Sequence, residues 1–287
     1  VVALGIAAAV GASVLYNTSI ALQALEAREV PGKHSLRPSL IGRLARNRRW
    51  LGATALGLAG WPLEIVALLL APLTVVQPCL ASGLLLLLWL GATRLGERPG
   101  RREALAVAAI VVGVVGVALA APERTTDHAA GAAIALAAVL VAIPLLAPYA
   151  LRGRAVALGT LAVVSAGCGY AWTAIASKLL TDELAAGALL IAVAWLATAA
   201  LSEGLALLSE MSALQHRAAT HVAPTMFAVQ ILVPVVLAPL IFGESWGSTP
   251  LGGAVLVASM GVAVGGTVLL AGSRAVGAVI ENAREQA

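Results

Sequence analysis

A fifteen-residue segment headed by a glutamate occurs twice in this chain, each time inside an apolar stretch. Glu64, Ala67, Leu68, Thr74, Val76 and Pro78 return as Glu210, Ala213, Leu214, Thr220, Val222 and Pro224, at a constant offset of 146 residues. Six of the fifteen positions are therefore identical in register, and a duplicated membrane unit is the expected reading. Duplicated membrane units commonly enclose a binding site between related halves. A carboxylate placed in hydrocarbon is costly enough to imply a use.

The surroundings of the repeat set the class. Hydrophobic residues make up 60% of the chain and charged residues 11%, whereas a soluble domain is about half apolar and a quarter charged. Runs of roughly 20 apolar residues give nine predicted spans, at 1–25, 50–71, 73–93, 103–121, 129–150, 155–178, 186–214, 221–242 and 249–272. The expected fold is an all-α polytopic membrane protein with nine transmembrane helices.

Charge positions orient the spans. With the loop 26–49 in the cytoplasm, Arg28, Lys33, Arg37, Arg43, Arg46, Arg48 and Arg49 lie inside. Strict alternation adds Arg94, Arg98, Arg101, Arg102, Arg152, Arg154, Arg217, Arg274 and Arg284. Only Arg124 and Lys178 fall outside, so sixteen of eighteen basic residues obey the positive-inside rule. The expected location is a bacterial inner (plasma) membrane, with the N-terminus outside and the C-terminus cytoplasmic. The basic loop reads as a topology determinant that touches anionic lipid rather than as a nucleic-acid surface. The first span reads as a retained helix, not a signal peptide, and because the chain starts at Val1 residues upstream of it are expected. Cys79 and Cys168, in different spans without a CxxC partner, read as small buried hydrophobes.

The repeat maps span 2 onto span 7 and span 3 onto span 8. An offset of five spans reverses direction across the bilayer, so two inverted four-helix repeats joined by a connecting helix are expected. The units are 1–122, a connector within 123–154, 155–272, and a cytoplasmic tail 273–287. Leu95-Gly96-Glu97 and Phe242-Gly243-Glu244 mark matching span ends, and Gly113, Gly116, Gly261, Gly265 and Gly266 predict close helix contacts. Proline inside a span at Trp61-Pro62, Gln77-Pro78 and Val233-Pro234 predicts either irregular backbone lining a cavity or kinks needed only for packing.

The stretch Gly60 to Pro78, with Ala71-Pro72 and Val76-Gln77-Pro78 followed nineteen residues later by Glu97, resembles the drug/metabolite transporter superfamily. Within it the chain is most similar to the NIPA-type magnesium transporter branch and to EamA-like permeases. The second half carries the likeness through Ala213-Leu214, Val222-Ala223-Pro224 and Phe242-Gly243-Glu244-Ser245-Trp246. The branch's acidic position after the glycine is Trp61 here, its asparagine position is Glu64, and Leu208 and Ser209 replace its usual asparagine and tyrosine. The resemblance implies secondary transport, with Mg²⁺ as substrate.

Polar residues inside the spans are the candidate site. Glu203 and Glu210, seven residues apart, share a helical face roughly 10 Å apart along the axis. Glu203 is expected near the bilayer centre, and Lys178 or Arg217 can snorkel toward a glutamate. With Glu64 they form a candidate cation- or proton-exchanging set and a candidate metal set of Glu64, Glu203 and Glu210. The alternative is protonated glutamates bonded to helix carbonyls. Gln77, Gln230, Asn17, Tyr170 and Trp61 complete the candidate substrate-binding residues, with Tyr16, Trp172 and Thr173 close by. A hard dication calls for oxygen ligands, whereas aromatic faces suit an organic cation.

No phosphate loop, nucleophile–base set or zinc spacing is present in the sequence, so an enzyme or ATP-driven pump is not expected, and no cofactor is implied. Three functions stay open. The chain is a carrier of a divalent cation, a proton-coupled exporter of a small metabolite or organic cation, or a non-transporting subunit of a lipid-linked sugar flippase or envelope enzyme complex. The expected partners are membrane lipid, a small-molecule or ion substrate, and a second copy or another membrane protein.

Overall fold

The computed structural model describes residues 2–70, 73–96, 100–120, 131–152, 154, 157–242 and 249–271. Among them every regular element is helical: α1 (Val2–Glu29), the short α2 (Pro38–Leu44), α3 (Arg48–Leu70), α4 (Leu73–Arg94), α5 (Arg101–Ala120), α6 (Gly131–Ala150), α7 (Ala162–Ala185), α8 (Leu189–His216), α9 (Ala219–Phe242) and α10 (Ala254–Ala271). Seven helical stretches among the described residues, in α1 and α5 to α10, are long and apolar enough to cross a membrane. The chain is thus an all-helical integral membrane protein. The Gly-Glu marks at Glu97 and Glu244 lie outside the described residues.

Charged and polar groups set several helix limits. Arg94 closes α4, Arg101 opens α5, and the Glu103 carboxylate accepts the Gly100 N–H at 2.9 Å. Asn47 starts α3: its Oδ1 accepts the Arg49 N–H at 2.8 Å, while its Nδ2 donates to the buried Glu26 carboxylate at 2.5 Å. One side chain thereby satisfies free donors at the helix start and ties the end of α1 to α3.

The helices α3 and α9 run unbroken through Pro62 and through Pro224, Pro234 and Pro239, which agrees with the packing alternative for these prolines and not with irregular backbone at Pro62 and Pro234. The irregular turns come instead before α7 and α10. Predicted to begin at 155, the sixth long helix becomes regular only at Ala162, after a π-type turn at Gly159 (φ −92°, ψ −125°). The Arg217 guanidinium lies 2.9 Å from where a Gly159 Cβ would stand, so the chain is diverted beneath it. Before α10, Leu251 and Gly252 both take left-handed angles.

The basic loop is more than a topology determinant. Its Leu36, Leu40 and Leu44 are fully buried, and its backbone is latched to α8. The Leu36 N–H donates to Ser212 Oγ at 2.8 Å, Ser35 Oγ donates to Gln215 Oε1 at 2.8 Å, and Gln215 Nε2 donates to the Val30 carbonyl at 2.9 Å. Trp50 Nε1 reaches Met211 Sδ at 3.3 Å. As a result α8 is enclosed at every position from Leu208 to Leu214.

The helix contacts follow a recurring order. The helix α1 packs chiefly on α3 and then α4, as α7 packs on α8 and then α9, while α5 packs chiefly on α10. In lipid such contacts depend on close fit rather than on water exclusion, and small residues supply it. A Cβ on Gly113 would stand 2.4 Å from Ala263 N and 2.7 Å from Ser259 O; one on Gly266 would stand 2.9 Å from Ile110 N and 2.7 Å from Ala106 O. Each contact is the other shifted by 153 residues. Gly116 also packs on Ser259, but Gly261 and Gly265 meet nothing within 4 Å, so those two are not packing residues.

Gly113→Ala and Gly266→Ala are therefore expected to lower stability by about 1–3 kcal/mol through overpacking, whereas Gly261→Ala changes it by less than about 0.5 kcal/mol. Thermal denaturation in detergent measures both.

Candidate functional site

Two glutamates of the repeat each receive a tyrosine hydroxyl from the neighbouring helix. Tyr16 on α1 donates to Glu64 Oε2 on α3 at 2.6 Å, and Tyr170 on α7 donates to Glu210 Oε2 on α8 at 2.5 Å. Both distances are those of a hydroxyl bonded to a carboxylate. Small residues let the rings approach: a Gly60 Cβ would stand 2.8 Å from the Tyr16 ring, and Gly169 packs on Ala206.

The contacts around the pairs also match. Ser19 Oγ donates to the Ala53 carbonyl at 2.7 Å, and Thr173 Oγ1 lies 3.4 Å from the Ala199 carbonyl. On the second face of α1, Ser13 Oγ donates to the Leu80 carbonyl at 2.7 Å and presses on Gly83. On the second face of α7, Gly167 lies against the Met226 carbonyl and Val229. The small partner has changed sides. Residues of α1 and α7 correspond at an offset of 154, and those of α3, α4, α8 and α9 at 146. The eight-residue difference lies in the connection that holds α2.

The two pairs are not equally enclosed. Glu210 is 4% exposed, and Glu64 is half-buried. Beside Glu210, Tyr149 donates to the Leu205 carbonyl at 2.8 Å and Ser165 donates to the Leu145 carbonyl at 2.6 Å. Ser209 Oγ touches both hydroxyls, at 2.8 and 2.9 Å, and donates to one of them. This network fixes the α8 backbone on which Glu210 stands.

The remaining candidates separate into three groups. Glu203, in the middle of α8, lies exposed at the edge of the α7–α8 contact beside Thr173, near enough for its charge to act on Tyr170 and Glu210. Asn17 is 1% exposed; its Nδ2 donates to the Ser13 carbonyl at 2.9 Å and its Oδ1 has no partner. Gln230 is half-buried on α9, and the Gln77 side chain lies outside the described residues.

Three expectations fail here. Trp61 is 63% exposed on the outer face of α3, one position past the Gly60 contact with Tyr16, so it lines no internal site. Trp172 is buried against Trp195, 6.4 Å between ring centres, and serves packing. Lys178 pairs with Asp182 at 2.8 Å instead of reaching a glutamate. Among the described residues no three His, Cys, Asp or Glu side chains converge on a metal position. Glu64, Glu203 and Glu210 therefore do not form one three-carboxylate set, because Glu64 belongs to the α1–α3 contact and the other two to the α7–α8 contact.

The Tyr149–Ser209–Ser165 network carries no signal in the sequence, and Tyr16 stands there only beside the candidate residues, not among them. A repeat search at the glutamate offset of 146 cannot align Tyr16 with Tyr170, which are 154 apart. Comparison with protein-family models, curated proteins and solved structures finds no match to the chain.

Replacing Tyr170 by Phe removes the donor to an enclosed carboxylate and is expected to cost about 1–3 kcal/mol. Tyr16→Phe, at the more open Glu64, is expected to cost clearly less. Paired melting curves in one detergent check the order.

Proposed function

We propose that this chain is a secondary membrane carrier of nine spans, in which α1 with α3–α5 and α7 with α8–α10 form two inverted halves joined by α6. The reading agrees with the resemblance to the drug/metabolite transporter superfamily. It rests above all on the two equivalent Tyr–Glu pairs, each at the contact between the first two long helices of its half. Rocking of one half against the other would open and close these pairs in turn. A tyrosine that caps a carboxylate must be displaced by whatever binds there, which couples arrival of a cation to release of the cap.

The substrate class favoured by the geometry is a small organic cation exchanged for protons. The available groups are acceptors: Glu64, Glu203, Glu210 and the unpartnered Asn17 Oδ1. An amine supplies both the charge and the N–H donors they lack. Glu203, exposed and electrostatically linked to Glu210, serves as the entry carboxylate. That same two-carboxylate neighbourhood favours a second reading, Mg²⁺ held by Glu203 and Glu210 with retained waters.

Purified protein in liposomes with a trapped pH dye separates the two. Addition of small amines is expected to drive proton flux that falls at least tenfold in Glu210→Gln and Glu64→Gln and less in Glu203→Gln. Flux evoked by Mg²⁺ but by no amine selects the second reading. Silence toward amines and Mg²⁺ alike removes the carrier reading.

A further inference from the structure

Beside the acidic site, on the opposite face of α8, lies an apolar groove of about 350 Å³ between α2 and α8, and its position is not explained by transport chemistry. Pro38, Ile41 and Gly42 form one wall, and Leu201, Gly204 and Leu208 the other. A Cβ added to Gly42 or to Gly204 would meet nothing within 4 Å, so the groove is open where both glycines face it. It continues into the outer face of α8, where Leu201, Val193 and Leu190 are 67%, 61% and 86% exposed. From Leu208 to Leu190 this apolar track runs about 27 Å along the helix axis.

Cations flank the α2 wall of the groove, Arg37 directly before Pro38 and Arg43 directly after Gly42. Lys33, Arg37 and Arg43 are exposed and form no ion pair among the described residues. They gather around His34, whose Nδ1 meets Ser39 Oγ at 2.8 Å while its Nε2 is shielded from water without a hydrogen-bond partner. Loss of water contact, and then the charges of Arg43, Lys33 and Arg37, hold the His34 ring below its usual proton affinity. Glu26, the buried acid in the last turn of α1, is already engaged by Asn47. Three uncompensated cations on the segment that walls an apolar groove match a molecule with a phosphate at one end and a hydrocarbon chain at the other.

We propose that an anionic phospholipid docks here, with its phosphate on Lys33, Arg37 and Arg43 and one acyl chain in the α2–α8 groove. Because the same loop is latched to α8 through Ser212 and Gln215, the lipid would brace the loop against the helix that carries Glu203 and Glu210. The inference does not depend on what is transported.

Native mass spectrometry of the full chain, released from vesicles of equimolar phosphatidylglycerol and phosphatidylcholine, tests it. The wild type is expected to retain phosphatidylglycerol and little phosphatidylcholine. The combined Lys33→Gln, Arg37→Gln and Arg43→Gln variant should lose roughly tenfold or more of that retention. Gly42→Phe, which fills the groove and leaves the cations in place, should lose a comparable share. Equal retention of the two lipids by the wild type overturns the proposal, and this comparison stands even if a variant fails to fold. Full retention by folded Gly42→Phe, or displacement by glycerol 3-phosphate at the lipid's own concentration, also overturns it, because the groove would then contribute nothing.

Discussion

A carboxylate enclosed by apolar helices persists only where hydrogen-bond donors satisfy it, and the Tyr170–Glu210 contact meets that condition for the buried Glu210. Much of the surrounding structure follows from it. Tyr170 can reach Glu210 only because Gly169 lets α7 close on Ala206. The α8 backbone is held there by Tyr149 and Ser165 through Ser209 on one side and by the loop residue Leu36 through Ser212 on another. Interhelical bonds of this kind are individually modest in membranes, so the enclosure depends on several acting together.

The equivalent pair at Tyr16 and Glu64 has the same partners in kind but less cover. The difference has a local source. In the second half the α1–α3 loop closes over α8, whereas the connection between α7 and α8 spans only 186–188 and provides no such cover for α3. For the proposed carrier, two chemically alike pairs in unlike surroundings would let one conformation favour capture at one pair and occlusion at the other.

Hydropathy made the helical class and most helix positions legible, because burying twenty apolar residues in lipid leaves little choice of conformation. It also carried the glutamates, whose cost in hydrocarbon marks them in any reading. Facing was less legible. Trp61 and Gly60 are neighbours in sequence, yet one points outward and the other lies under Tyr16, a choice made by packing with α1. The docking of the basic loop was invisible for a related reason: Leu36 and Ser212 are 176 residues apart, and nothing local to either announces their bond. The late start of α7 depends likewise on Arg217, from the distant connection between α8 and α9.

Opposed orientation of the halves is the claim on which the account turns, and thiol accessibility tests it most directly. In a background with Cys79 and Cys168 replaced by Ala, single cysteines at Ala45 and Ala186 report the α1–α3 and α7–α8 connections, both exposed. A membrane-impermeant maleimide applied to intact cells is expected to label Ala186→Cys and to reach Ala45→Cys only after the membrane is opened. Labelling of both from the same side would mean that the halves run parallel, and the account would be wrong.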